Sequence, residues 1–231
     1  MSTSFIAYLA MTFLTAVNDS MFRWLIVPIG KQQFQVHLGW TKENAEAVVL
    51  SLGLGCFMLP FVMFAPWAGW AADRFSKRSS IIWLKLVEVL LMAVGIWSIH
   101  LANVPSMFTI LFLIGAQAAF IGTAKLGIIP ELVKKSDISA ANGLSGVATL
   151  VAVIVGTVAG YGLAEITQAD HSRGLMLSTV ALIGCAVLGT LSAVMMNHVP
   201  AASPALRFQW NLITDSWRDI KLVMVDRAIL R

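Results

Sequence analysis

Charge is what this sequence has least of. Only 12% of its 231 residues are Asp, Glu, Lys or Arg, where an ordinary soluble domain carries roughly a quarter. With 58% of the chain hydrophobic, the shortage excludes a solvated globular surface and leaves a membrane composition. Cysteine is almost as scarce. Cys56 and Cys185 both fall inside apolar runs, with no C-x-x-C or His/Cys ligand spacing, so they read as small packing residues and not as a metal site. The four histidines, His37, His100, His171 and His198, are scattered, and none starts an H-E-x-x-H pattern. A G-x-x-x-x-G-K-[ST] loop is also missing, which argues against a self-contained ATP-driven pump. No cofactor, metal or enzymatic activity is expected from these residues.

What is present is six apolar runs, drawn at Phe5–Gly30, Ala47–Ala72, Ser80–His100, Pro105–Ile129, Ala140–Ala164 and Gly174–Met196. Each reaches the ~20 residues that a helix needs to cross a ~30 Å hydrocarbon layer. The first run has no basic leader and no A-x-A-like cleavage site and carries Asp19 and Arg23, so it reads as a retained helix and not a signal peptide. Between runs two and three lie Arg74, Lys77 and Arg78; between four and five, Lys134 and Lys135; after run six, Arg207, Arg218, Lys221, Arg227 and Arg231. The loops of the other parity hold only Lys31, Lys42 and Arg173. By the positive-inside rule both termini and the even-numbered connections are then cytoplasmic. The basic balance thus reports topology, and no nucleic-acid partner is inferred from it.

About sixteen residues follow the first run outside, and the remaining connections are shorter still. That brevity predicts sequential helices as antiparallel neighbours in one bundle. In the fifth run Ala148, Ala152, Gly156, Gly160 and Ala164 recur at every fourth position, a small-residue face on which another helix can pack or slide. We place the bundle at residues 1–198. Residues 199–231 mix Phe208, Leu212, Trp217, Ile220 and Val223 with Arg218, Asp219 and Lys221, which suits an amphipathic linker at the cytoplasmic interface. Trp24, Trp40, Trp67, Trp70, Trp83 and Trp97 mostly fall near span ends, as an interfacial belt.

The turn "GWAADRFSKR", Gly69 to Arg78, resembles the loop signature of the major facilitator superfamily through Gly69, Asp73, Arg74, Lys77 and Arg78. Ser76 stands where that pattern usually has glycine, and Ala71 where it often has leucine. The resemblance implies a conformational latch on the cytoplasmic side; the plain alternative is an ordinary basic loop. "FLTAVNDSMF", "GAQAAFIGTAKLGIIPELV" and "ISAANGLSGVATLVAVIVGTVAG" look like the lysophospholipid transporter branch of that superfamily, which in bacteria occurs alone or fused to an acyltransferase. Together they cover essentially this chain but only the N-terminal half of such a transporter. No His-x-x-x-x-Asp acyltransferase pattern occurs here.

The expected fold is therefore all-α, with six transmembrane helices forming the N-terminal half of a major facilitator fold by a 3+3 inverted repeat. The implied role is moving lysophospholipid across or between leaflets of the bacterial inner membrane. Membrane lipid, a second transporter half or an acyltransferase domain are the implied partners. An exporter of another amphiphile or drug, an interaction half and a truncated fragment remain as rivals.

Asp19 lies fourteen residues into the first run, roughly 21 Å along a helix. Such a carboxylate must be paired, protonated or wet. Either Asp19 and Asn18 meet a head group or a cation, or Asp19 pairs with Arg23 one turn on. Lys125 and Arg23 are the candidates for a phosphate, although Lys125 near the inner interface is also explained by snorkelling. Gly127 and Pro130 should loosen and end that helix. Gln117 is either a cavity group or interhelical glue. Lys85 and Glu88, three apart, read as a local pair with a snorkelling lysine.

Overall fold

The computed structural model describes residues 2–203 and 205. Among them the chain forms six long helices and no strand: α1 (Thr3–Leu38), α2 (Lys42–Arg74), α3 (Lys77–His100), α4 (Val104–Leu132), α5 (Ile138–Ala169) and α6 (His171–Val194). A single 3₁₀ turn, Lys135–Asp137, leads into α5. All six are long and apolar enough to cross a membrane. Five begin at a residue whose side chain accepts an otherwise orphaned N–H of the first turn: Ser2, Thr41, Ser76, Asn103 and Asp170. Gly39 closes α1 at a φ of 64°, the left-handed conformation that glycine adopts without strain.

Two boundaries differ from expectation. α1 does not stop at Gly30 but runs through Pro28 to Leu38, so the connection to α2 is Gly39 to Thr41 and not sixteen residues. Gln32, Gln33 and Gln35 lower the hydropathy without opposing a helix, so the apolar run marked membrane depth and not helix length. α4 likewise continues past Pro130 to Leu132, where the Val133 N–H still reaches the Ile129 carbonyl at 3.3 Å.

The expectation that sequential helices are neighbours holds for α1–α2, α3–α4 and α5–α6 but fails for α2–α3, and the most extensive contacts are between non-sequential helices. α1 lies along α5 and α2 along α4, whereas α2 and α3 meet only marginally. Short loops fix opposite directions but leave adjacency to the faces that fit. The α5 stripe supplies one such face. A Cβ on Gly156 would lie 2.4 Å from the Val17 carbonyl oxygen, and one on Gly160 2.5 Å from that of Met21, so α1 and α5 touch backbone to backbone. Exchanging α1 with α4, α2 with α5 and α3 with α6 converts the α1–α5 contact into α4–α2, and α3–α4 into α6–α1. All four contacts are extensive, which is the pattern of a 3+3 repeat.

Burial is layered along the bundle. One apolar cluster gathers Met21, Phe22, Leu25, Met92, Ile110, Leu111, Ile114 and Leu182, with Cys56 and Cys185 packed against it. The other, at the opposite end, gathers Phe5, Tyr8, Met11, Ile81, Ile128, Ile129, Ala193, Met196 and Val199. Between them, at the middle of the helices, sits a buried polar layer. Val199 belongs to the packed bundle, although 198 was the expected boundary. The amphipathic positions from Phe208 to Val223 lie outside the described residues.

Candidate functional site

The polar layer is built from α1, α3 and α4, and its hub is Glu88, whose contacts reach well beyond the local pair expected from its three-residue spacing to Lys85. Glu88 Oε1 accepts from Lys85 Nζ at 2.6 Å and from Asn18 Nδ2 at 3.0 Å, while its Oε2 accepts from Gln117 Nε2 at 3.2 Å. Lys85 Nζ also donates to Thr15 Oγ1 at 3.1 Å, and that hydroxyl donates to the Met11 carbonyl. Lys85 and Glu88 are both 0% exposed. The predicted pair is present, but the predicted snorkelling is not. Lys85 turns inward, and Gly189 of α6 makes room for it, since a Cβ there would lie 2.6 Å from Nζ. A buried pair of this kind persists only where further hydrogen bonds satisfy both charges, and here Thr15, Asn18 and Gln117 do so.

Gln117 therefore acts as glue, donating also to the Leu84 carbonyl at 3.1 Å. Asn18 is held in the same way. Asp19, beside it, is buried, and its Oδ1 has no hydrogen-bond partner; neither have Asn18 Oδ1 and Gln117 Oε1. The possible Asp19–Arg23 pair does not form among the described residues. The Arg23 guanidinium instead sits 5.2 Å from the centre of the Phe57 ring. Lys125 is half-buried, without a salt bridge among the described residues, and within electrostatic reach of Asp19 and Lys85. Of the five expected site residues, Asn18, Asp19 and Gln117 thus gather at one level. Arg23 lies a turn further along α1 and Lys125 two turns further along α4, toward opposite ends of the bundle. Thr15, Lys85 and Glu88 were not among the expected site residues; the signal available was that every charged or amide side chain near mid-span falls on α1, α3 or α4.

Two cavities lie toward the end of the bundle where α1 meets α2. The smaller, about 390 Å³, lies between α1, α2 and α5 and is walled by Trp24, Ile26, Val49, Leu54 and Val153, with Arg23 as its charged lining residue. The larger, about 900 Å³, has polar and apolar side chains in its lining, among them the Lys31–Glu46 salt bridge between α1 and α2. His100 and His171, far apart in sequence, face each other with ring centres 6.1 Å apart. Among the described residues no group of three or more acidic, histidine or cysteine side chains is arranged to hold a metal.

At the turn between α2 and α3, Lys77 forms a salt bridge with Glu131 at the end of α4. Arg78 Nη2 donates to the Val194 carbonyl at 2.6 Å, and Ser76 Oγ to the Val199 carbonyl at 2.6 Å. The Ser203 N–H donates to the Asp73 carbonyl at 2.9 Å. Gly69 faces open space, and neither Asp73 nor Arg74 forms a salt bridge among the described residues. The turn thus fastens α3, α4, α6 and the segment after α6 to one another.

Comparison with known proteins agrees with this architecture. The family described as Major Facilitator Superfamily matches residues 8–229. The chain is similar to the lysophospholipid transporter LplT of Photorhabdus laumondii, at 28% identity over 89% of this chain and 46% of that protein. It is 29% identical to the LplT of Escherichia coli O1:K1 over 90% of this chain and 46% of the relative. With the LplT of Serratia proteamaculans the identity is 27%, over 95% and 51%. The chain spans about half the length of the curated relatives it matches.

Proposed function

Because this chain belongs to the major facilitator superfamily and forms a multi-pass bundle of six membrane-length helices, we propose that it is the N-terminal half of a lysophospholipid transporter. The observation that carries the reading is the amphiphilic order of residues along α1. An apolar cavity of about 390 Å³ has Arg23 in its lining. One turn further in, about 6 Å of helix rise, lies the unpartnered carboxylate oxygen of Asp19. A single-chain lipid needs an apolar wall beside a paired set of charges. Arg23 meets the phosphate of a lipid in the apolar cavity while Asp19, with Asn18, meets the amine, and Lys125, about 16 Å further along the bundle, meets the phosphate at the other end of the path. The substrate leaves chemically unchanged, and its path is across or between leaflets of the bacterial inner membrane, with both termini of this half in the cytoplasm. The turn from Gly69 to Arg78 serves as the conformational latch, through Gly69, Asp73, Arg74, Lys77 and Arg78. A second six-helix half completes the transport path. An acyltransferase that re-esterifies the delivered lipid is the enzymatic partner this substrate calls for.

The test is uptake of labelled lysophospholipid into proteoliposomes carrying this chain together with its second six-helix half, with and without Asp19→Ala. The expected outcome is that this substitution abolishes uptake while the protein remains folded. Cysteines at positions 19 and 125 that are both sealed from water-soluble thiol reagents in every transport state would overturn the assignment.

A further inference from the structure

Asp19 and Arg23 stand one turn apart on the same face of α1. Opposite charges at this spacing are neighbours on a helix, and their attraction grows as water is excluded. Yet among the described residues they form no ion pair: Asp19 Oδ1 is buried without a partner, and the Arg23 guanidinium sits 5.2 Å from the centre of the Phe57 ring. Something holds the guanidinium there against that attraction. The face of an aromatic ring attracts a cation, most strongly where water is scarce, and leaves the in-plane N–H groups of a guanidinium free. Phe57 is itself fixed in place. It is buried in an apolar cluster, its ring lies 5.8 Å from that of Phe61, and α2 meets α4 at its backbone, where a Cβ on Gly115 would come within 2.4 Å of the Phe57 carbonyl oxygen.

The consequence is a free set of donors in a cavity wall. Arg23 lines the apolar cavity of about 390 Å³ between α1, α2 and α5, beside Trp24, and none of its N–H groups bonds to a described residue. Were the guanidinium to turn back onto Asp19, the pair would be neutral and the wall would lose both its charge and its donors. We infer that Phe57 is a positioning residue: its ring holds the Arg23 guanidinium in the cavity wall and away from Asp19, which leaves the N–H fork free to bind an oxyanion, the lipid phosphate. This inference rests on the reading of Arg23 as the phosphate contact and adds to it what keeps that contact available. Asp19 enters only as the competitor for Arg23, so nothing here requires it to reach the ligand.

The experiment compares binding of lysophosphatidic acid with that of the monoacylglycerol of the same chain, which differ by the phosphate alone. Tryptophan fluorescence follows it on the purified transporter, this chain together with its second six-helix half. The parent should prefer the phosphate-bearing lipid by about tenfold or more, the effect of a hydrogen-bonded charge. Arg23→Met should reduce that ratio to within about threefold. Phe57→Leu should do the same although Arg23 is still present, because the guanidinium then turns onto Asp19. Two further variants separate positioning from mere cavity shape. Phe57→Trp, which keeps a ring face, should retain the parent's ratio, and Phe57→Leu/Asp19→Asn should regain it, because the competing charge is gone. Should Phe57→Leu fail to fold, Phe57→Met, unbranched and adaptable, takes its place alone and with Asp19→Asn. A Phe57→Leu protein that keeps the parent's ratio while Arg23→Met loses it overturns the inference and leaves Arg23 as the phosphate contact. A ratio lost in Phe57→Leu and not regained with Asp19→Asn overturns it in the same way. A folded parent that does not distinguish the two lipids overturns both.

Discussion

At the scale of single residues, the question is where a membrane bundle can keep charge. Asp19, Lys85 and Glu88 are all buried at mid-bundle, yet only the last two are paired. Removing one member of such a pair leaves a charge stranded in a low-dielectric interior, which costs about 3–5 kcal/mol, whereas replacing both by uncharged side chains of similar size is often neutral. Glu88→Ala is accordingly expected to destabilise the protein strongly in a detergent unfolding titration. Lys85→Met/Glu88→Gln should unfold close to the parent's midpoint. The pairing of Lys85 with Glu88 was readable from their three-residue spacing. Their inward direction was not, because it depends on Thr15, Asn18 and Gln117 from other helices and on the gap that Gly189 leaves in α6.

At the scale of elements, close approach decides which helices pair. Gly156→Ala places a methyl 2.4 Å from the Val17 carbonyl oxygen. It should push α5 from α1 and cost about 1–3 kcal/mol, the usual price of overpacking. Gly146→Ala, on the same helix where a Cβ meets nothing within 4 Å, should instead be neutral or stabilising by up to about 1 kcal/mol, since alanine is the better helix former. Thermal unfolding of the two variants side by side checks both. The small-residue stripe was visible in the sequence, but its partner was not: α1 offers no matching row of glycines, only a backbone able to come near. A second element-scale device is the fastening of the segment after α6. Ser76 supplies the hydroxyl that binds the Val199 carbonyl. Ser76→Gly, which restores the residue usual in the family's turn, should speed hydrogen exchange of the Val199–Ser203 amides while leaving α1 and α4 as protected as before. Equal protection in both proteins would show that Ser76 does not hold this segment.

At the scale of the whole molecule, the pattern of exposure is that of a protein facing hydrocarbon. Val62, Leu90, Val158 and Val180 are largely exposed, while the polar side chains gather inside. With the proposed orientation, a cysteine at Ser136, in the turn between α4 and α5, should label only from the cytoplasmic side. One at Asn103, at the start of α4, should label only from outside. Impermeant thiol reagents on intact cells and inverted vesicles distinguish the two, and labelling of the opposite sense would reverse the topology.

The sequence by itself determined the number of spans, their approximate places and the all-α class, because a hydrocarbon layer admits only segments that satisfy their own backbone hydrogen bonds and are long enough to cross it. It also marked Asn18, Asp19 and Gln117 as polar groups inside apolar runs, each open to a structural or a binding role. It did not determine the helix ends, since polar residues such as Gln32 and Gln35 continue a helix beyond the membrane at no penalty. Nor did it determine adjacency, since a short loop sets only direction. Tertiary structure decided that α1 packs on α5 and α2 on α4, and so brought Glu88 within reach of two amides from different helices. That meeting depends on distances between residues 70 and 29 positions apart. No local pattern encodes such distances; complementary packing of whole helix faces does.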